Sequence, residues 1–139
     1  GAQSAVEATA RQWSGEPLQS ADSFWNALCQ QQLDFFSGDM PLWRFSVKPT
    51  AALPQVAGTH QWLVDWGGAQ RWLRADGDLT EMEALASRAG GQVSLYRGGD
   101  RDGEVFHQQP QALIALQQRI KKSFDPDALF NPGRLYSWM

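Results

Sequence analysis

The sequence predicts an α+β fold in which a mainly antiparallel sheet is covered by helices on one face. Three features carry that expectation. Apolar and polar residues alternate from Trp43 to Lys48, a Gly-Gly pair sits between two aromatic-rich runs, and stripes of helical period lie before, between and after the strand segments. The order is therefore helix, helix, strand, hairpin, helix, strand, helix, which suits one layered α+β domain.

The first helix is marked by Val6, Ala10 and Trp13 at i, i+4, i+7 spacing and ends near Gly15. It starts almost at once after Gly1-Ala2-Gln3-Ser4, with no initiator Met, so the 139 residues read as a piece cut from a longer chain. Phe24, Trp25, Leu28 and Cys29 give a second stripe, with Asp22 or Ser23 as N-cap and an end near Leu33. Cys29 has no metal-ligand partner at useful spacing, so it is expected to be a buried thiol. Phe35 and Phe36 form an apolar plug before Ser37-Gly38-Asp39.

Trp43, Phe45 and Val47 share one face of the clearest strand, and Arg44, Ser46 and Lys48 share the other. Two cations and a hydroxyl on one face suit a carboxylate ligand, while a solvated sheet face shows the same pattern. Pro49 and Pro54 bracket a linker that extends to His60. From Trp62 to Leu73 the chain forms a hairpin whose turn is Gly67-Gly68, because two adjacent positive-φ positions favour glycine. That turn sets Trp62 opposite Leu73, Val64 opposite Arg71 and Asp65 opposite Gln70. Apolar residues then fall on both faces, so a side left bare by helices needs a partner domain or a ligand.

Thr80 and Glu83 have the spacing of a capping box for a helix that buries Met82, Leu85, Ala86 and Ala89 and stops at Gly90-Gly91. Val93 and Leu95 alternate with Ser94 and Tyr96 in another strand. The Gly98–Gly103 loop has neither phosphate-loop nor dinucleotide-binding spacing. Pro110 opens the last helix, whose stripe is Leu113, Leu116, Ile120 and Phe124.

Composition narrows the function classes. A net charge of −3 with scattered cations gives no electrostatic footprint for nucleic acid or an anionic bilayer. No apolar run is long enough to span a membrane and no leader is visible, which points to a cytoplasmic protein. His60 and His107 are isolated, so no metal site is expected, and no nucleophile elbow is present, so no catalytic residue can be named. Seven Trp and seven Phe suggest a large aromatic interface and self-association of the domain when it is alone.

The tail is the most informative stretch. In Phe124-Asp125-Pro126 through Phe130-Asn131-Pro132-Gly133-Arg134, each proline restricts its predecessor and Gly133 permits a turn, so Asn131 and Arg134 are presented on stiff backbone. Turn chemistry alone accounts for Asp-Pro and Pro-Gly. The spacing also resembles the D-P-x-x-x-x-N-P-G-[KR] ending of FAD-linked oxidases of the vanillyl-alcohol oxidase type. Leu42-Trp43-Arg44-Phe45-Ser46-Val47 and Asp65-Trp66-Gly67-Gly68-Ala69-Gln70-Arg71-Trp72-Leu73 narrow the resemblance to the FAD-binding subunits of glycolate oxidase, over essentially the whole chain.

The resemblance implies a ferredoxin-like C-terminal domain, residues 1–139, that caps the flavin and contributes to the substrate side. FAD would be bound mainly by an N-terminal domain absent from this chain. It places Asn131 and Arg134 at the flavin-side seam; strand alternation adds Arg44, Lys48 and Arg71 as anion-facing positions for a small hydroxy acid. The other glycolate oxidase subunits would be partners, and any contact with the inner membrane would be made through the complex. The implied reaction oxidises a 2-hydroxy acid such as glycolate, and this chain alone is expected to be inactive. Related 2-hydroxy-acid dehydrogenases carry metal-binding histidines in this domain, and this sequence lacks such a pair. The alternative reading is a non-catalytic ferredoxin-like module for ligand binding or subunit assembly.

Overall fold

The computed structural model describes residues 2–13, 15–56 and 62–139. The end of the expected linker, including His60, lies outside the described residues. The chain divides into two compact units, 1–34 and 35–139.

In the first unit, α1 spans Gln3–Ala10 and α2 spans Ala21–Cys29. The N-cap of α2 is Ser20, ahead of the expected Asp22 or Ser23, and the helix stops at Cys29 rather than Leu33. The early stop has a local cause. Gln31 takes a left-handed φ of 55°, while the Gln32 and Gln31 amides donate to the carbonyls of Ala27 (2.8 Å) and Leu28 (3.1 Å). That pair of bonds is the Schellman closure, which satisfies the last carbonyls and turns the chain away. Cys29 is exposed, contrary to the buried thiol expected from its stripe. Among the described residues neither helix buries a side chain, so the stripe gives the thiol no apolar interior to enter.

The second unit is built on a four-stranded antiparallel sheet. Its strands are β1 (Leu42–Ser46), β2 (Trp62–Asp65), β3 (Gln70–Arg74) and β4 (Gln92–Arg97), in the order β2-β3-β1-β4. With α3 (Leu79–Arg88) and α4 (Gln111–Phe124) the fold is α+β, as the sequence predicts. The hairpin register is as expected: Trp62 opposes Leu73, Val64 opposes Arg71 and Asp65 opposes Gln70. Its turn has positive φ at Gly67 (60°) and Gly68 (96°), and the Ala69 amide donates to the Trp66 carbonyl at 3.1 Å. Trp66 is left-handed as well (51°), so three consecutive residues make the turn and the strands pair only as far as Asp65 and Gln70.

The core lies on one face of the sheet. Trp43, Phe45, Val47, Leu73, Ala75, Val93 and Leu95 pack there with Met82 and Ala86 from α3 and with Ala89 just after it. Among these, Trp43 also donates its indole N–H to the Ala75 carbonyl at 2.9 Å, which satisfies its one polar atom inside the core.

The cap of α3 is Asp78, whose carboxylate accepts the Glu81 amide at 2.9 Å, and not the expected Thr80–Glu83 box. Leu79 packs against the core, so the helix must already be under way at that residue. Glu83 instead accepts the Gln108 amide and ties down the segment that runs beside β4. There Val105 accepts from the Leu95 amide and His107 donates to the Val93 carbonyl, which adds a short antiparallel bridge at Ser94 and Phe106. The stripe of α4 is also unlike its expectation. Leu116, Ile120 and Phe124 are 48, 50 and 86% exposed.

Candidate functional site

The sheet face opposite the core carries the polar residues that strand alternation brings together. Across the four strands, Leu63, Trp72, Arg44 and Ser94 form one row, and Asp65, Gln70, Ser46 and Gln92 form the next. Trp72 is the buried floor of this face, held edge-to-face by Phe36 at 5.8 Å and Tyr96 at 5.0 Å between ring centres. Arg44 and Ser46 are exposed on it. The Arg44 Nε donates to Gln70 Oε1 at 2.9 Å, and no hydrogen bond to its two terminal nitrogens is made among the described residues.

Lys48 follows the same alternation just past the end of β1 and is exposed. Its backbone amide donates to the Ala89 carbonyl, and its methylene stem lies across Gly90, where an added Cβ would stand 2.8 Å from the lysine Cε. The ammonium is thus carried at the C-terminal end of α3, where a cation is favoured.

Arg71 is placed differently from the other two cations. It opposes Phe45, on the core side of the sheet, and is 3% exposed. Its guanidinium donates to the carbonyls of Gly68 (3.0 Å), Ala52 (3.1 Å), Lys48 (3.3 Å), Pro49 (3.4 Å) and Ala51 (2.6 Å). A charged fork with five donors suits several carbonyls that converge in one loop. Arg71 therefore fastens the segment after β1 to the hairpin turn, and its donors face backbone.

The tail is organised by Asp125, which the sequence reading treated only as a helix exit. Its carboxylate accepts the amides of Leu129 (2.9 Å) and Phe130 (3.0 Å) and pairs with Lys121, whose ammonium also reaches the Phe130 carbonyl. Lys121, and then those two amides, hold the Asp125 carboxyl down to about 2 from its ordinary 3.8. Ala128, Asn131 and Gly133 take φ of 54°, 48° and 64°, and the Arg134 amide donates to the Asn131 carbonyl. Asparagine tolerates that left-handed conformation better than most residues. Tyr136 anchors the far end: it is buried, donates to the His107 carbonyl at 3.1 Å and accepts from Gln109 Nε2 at 2.9 Å.

The depressed carboxyl has a direct consequence for pH. Because the folded state binds this proton less tightly than the unfolded chain, the contribution is complete above about pH 4 and is lost as pH falls toward 2. Protection of the Leu129 and Phe130 amides, taken relative to their intrinsic exchange at each pH, should therefore hold down to about pH 4 and fall below it. In Asp125→Asn the same two amides should already exchange fast at neutral pH, and unchanged protection in that variant would contradict the assigned role.

Asn131 and Arg134 are exposed and line one groove of about 540 Å³, whose walls include Phe106, Phe124, Phe130 and Leu135. Arg134 also borders a second hollow of about 460 Å³ beside Arg101 and Glu104. Among the described residues no group of three or more His, Cys, Asp or Glu could hold a metal ion, and no helix is long and apolar enough to cross a membrane.

Residues 62–135 match the family model of FAD linked oxidases, C-terminal domain. The chain is 35% identical to glycolate oxidase subunit GlcE of Escherichia coli K12 over 137 residues, which is 99% of this chain and 37% of that protein. Over 60 residues it is also 37% identical to uncharacterized FAD-linked oxidoreductases from two strains of Mycobacterium tuberculosis, covering 42% of this chain and 13% of theirs. The chain thus covers little more than a third of the length of GlcE and a smaller share of the two Mycobacterium tuberculosis proteins. No solved structure matches it.

Proposed function

Since the chain belongs to the C-terminal domain family of FAD-linked oxidases, we propose that it is the cap and substrate-side domain of an FAD-dependent 2-hydroxy acid oxidoreductase. Glycolate is the proposed substrate, by likeness to GlcE, and the partners are the other subunits of such an oxidase. The observation that carries the reading is the open sheet face, where Arg44 keeps its terminal guanidinium edge available above an aromatic floor.

The donor set fits both parts of the ligand. A planar guanidinium edge suits one carboxylate in a two-bond fork. Lys48 adds a second positive charge past the end of the same strand, and Arg71 holds the loop that begins at Lys48. Phenylalanine walls with an amide and a guanidinium at their edge, as at Asn131 and Arg134, suit a flat aromatic ring that bears hydrogen-bond acceptors. Bound FAD supplies the acceptor for the hydride removed from the α-carbon of the hydroxy acid. The chain's own residues hold the carboxylate, close over the ring and keep water from it.

The pyrophosphate belongs to another part of the protein on this reading. The N-terminus of α3 is occupied by its own Asp78, and α4 is entered through Pro110 rather than a glycine-rich loop. The 139-residue chain should therefore fold but emerge from gel filtration without FAD and without glycolate oxidation. Adding the remainder of the protein, in the same chain or separately, should restore flavin absorbance, and Arg134→Ala in that complete protein should lower the bound fraction. Stoichiometric FAD on the 139 residues alone would overturn this division of labour.

A further inference from the structure

We infer that Gln70 is a positioning residue for the substrate carboxylate, acting through Arg44. The inference rests on the proposal that Arg44 receives that carboxylate. An arginine side chain has four rotatable bonds above the backbone, and freezing them costs entropy when a ligand binds. On this sheet one of them is already constrained. Gln70 lies on β3 opposite Ser46, diagonal to Arg44, and its side-chain oxygen takes the Nε–H at 2.9 Å.

The choice of nitrogen matters. A guanidinium bound at Nε is anchored by its inner donor, and the outer edge formed by the two terminal nitrogens remains for a second partner. That edge makes two parallel bonds to one carboxylate. An amide oxygen is also the suitable anchor here, since it accepts the N–H without a negative charge that would repel the incoming anion or neutralise the arginine. Gln70 itself is held in the ladder, because Asp65 and Ser46 pair with it from the strands on either side. Asp65 is engaged locally with the Trp66 amide at 2.7 Å, so the neighbouring carboxylate has its own donor. The anchored fork thus offers a single planar docking edge for one carboxylate.

The test uses the complete flavin-loaded protein with its partner subunits, with oxalate as a non-reacting carboxylate probe and glycolate as the reacting one. Gln70→Leu and Gln70→Asn both remove the anchor, the second by being too short to reach Nε. Each is expected to weaken oxalate binding measured by calorimetry about tenfold and to raise KM for glycolate with little change in kcat. Arg44→Met should weaken both further, and adding Gln70→Leu to it should cost nothing more, since the positioned group is gone. If Arg44→Met weakens oxalate while both Gln70 variants bind it like the parent, Gln70 does not position Arg44, and the carboxylate reading of Arg44 survives. If Arg44→Met leaves oxalate binding unchanged, both fall together. Full additivity of the two substitutions would also overturn the inference.

Discussion

Trp43→Ala is expected to destabilise the 35–139 unit by about 4 kcal/mol, the upper part of the range for truncating a buried aromatic. Trp43 is 2% exposed and sits on the strand that is paired on both sides, opposite Leu73 and Leu95. Truncation would leave a cavity against Met82 and Ala86 of α3, which are fixed by the sheet beneath them and cannot collapse far. It would also strand the Ala75 carbonyl, which now accepts the indole N–H. Trp43→Phe separates the two effects, since it keeps most of the volume and loses only the donor. Chemical denaturation should place it roughly 2 kcal/mol below the parent. A loss for Trp43→Ala under about 1 kcal/mol would mean that this tryptophan is not the centre of the core.

The second large effect is expected at Arg71. Arg71→Met keeps the length and apolar stem of the side chain and deletes every donor, so the carbonyls of Ala51, Ala52 and Gly68 lose their partner together. The loss should be about 3 kcal/mol, because each orphaned acceptor retains its desolvation cost. Arg71→Lys should recover little of it, since one ammonium cannot reach carbonyls spread around a planar five-donor fork. Thermal melting of both variants checks this, with a drop of roughly 10 °C expected for each. If Arg71→Met melts like the parent, the segment after β1 is held by other contacts and the guanidinium is free for a ligand.

What could be read from the sequence depended on whether a residue's role was local. Gly67-Gly68 fixed the hairpin register because a turn centred on that pair sets Asp65 against Gln70, although Trp66 joins the glycines at positive φ. The alternation from Trp43 to Lys48 assigned both faces of β1 for the same reason, as one strand has only two faces. The α3 cap was harder. Asp78 and Thr80 are both competent caps, and burial of Leu79 decides between them, which is a tertiary fact. The α4 stripe showed that one helix face is apolar, but the residues that would cover it are not specified by period.

The site divides in the same way. The exposed placement of Arg44 follows from alternation, but Arg71, expected to face the same anion, lies on the opposite face, because Trp72 and not Arg71 pairs with Arg44. That β3 partner was not assigned from the sequence, because pairing of β1 with β3 spans a linker of unfixed register. Asp125 was legible as a helix exit but not as the acceptor of two amides four and five residues ahead, which depends on the turn closing back on it. Tyr136 gave no signal at all, as its partners His107 and Gln109 are distant in sequence.

The strand order β2-β3-β1-β4 constrains how such a chain can assemble in time. The central strand is made first but borders only strands that come later, and its Ser46–Gln70 and Leu42–Arg74 pairs must close across the whole linker and hairpin. The β2–β3 hairpin closes around a tight turn and can form within its own stretch of chain. Loop-closure entropy therefore favours the hairpin as an early template, with β1 docking onto β3 and β4 completing the far side after α3. Until that docking, β1 carries Trp43 and Phe45 without cover, and this interval is when the chain is most exposed to capture by other unfolded molecules.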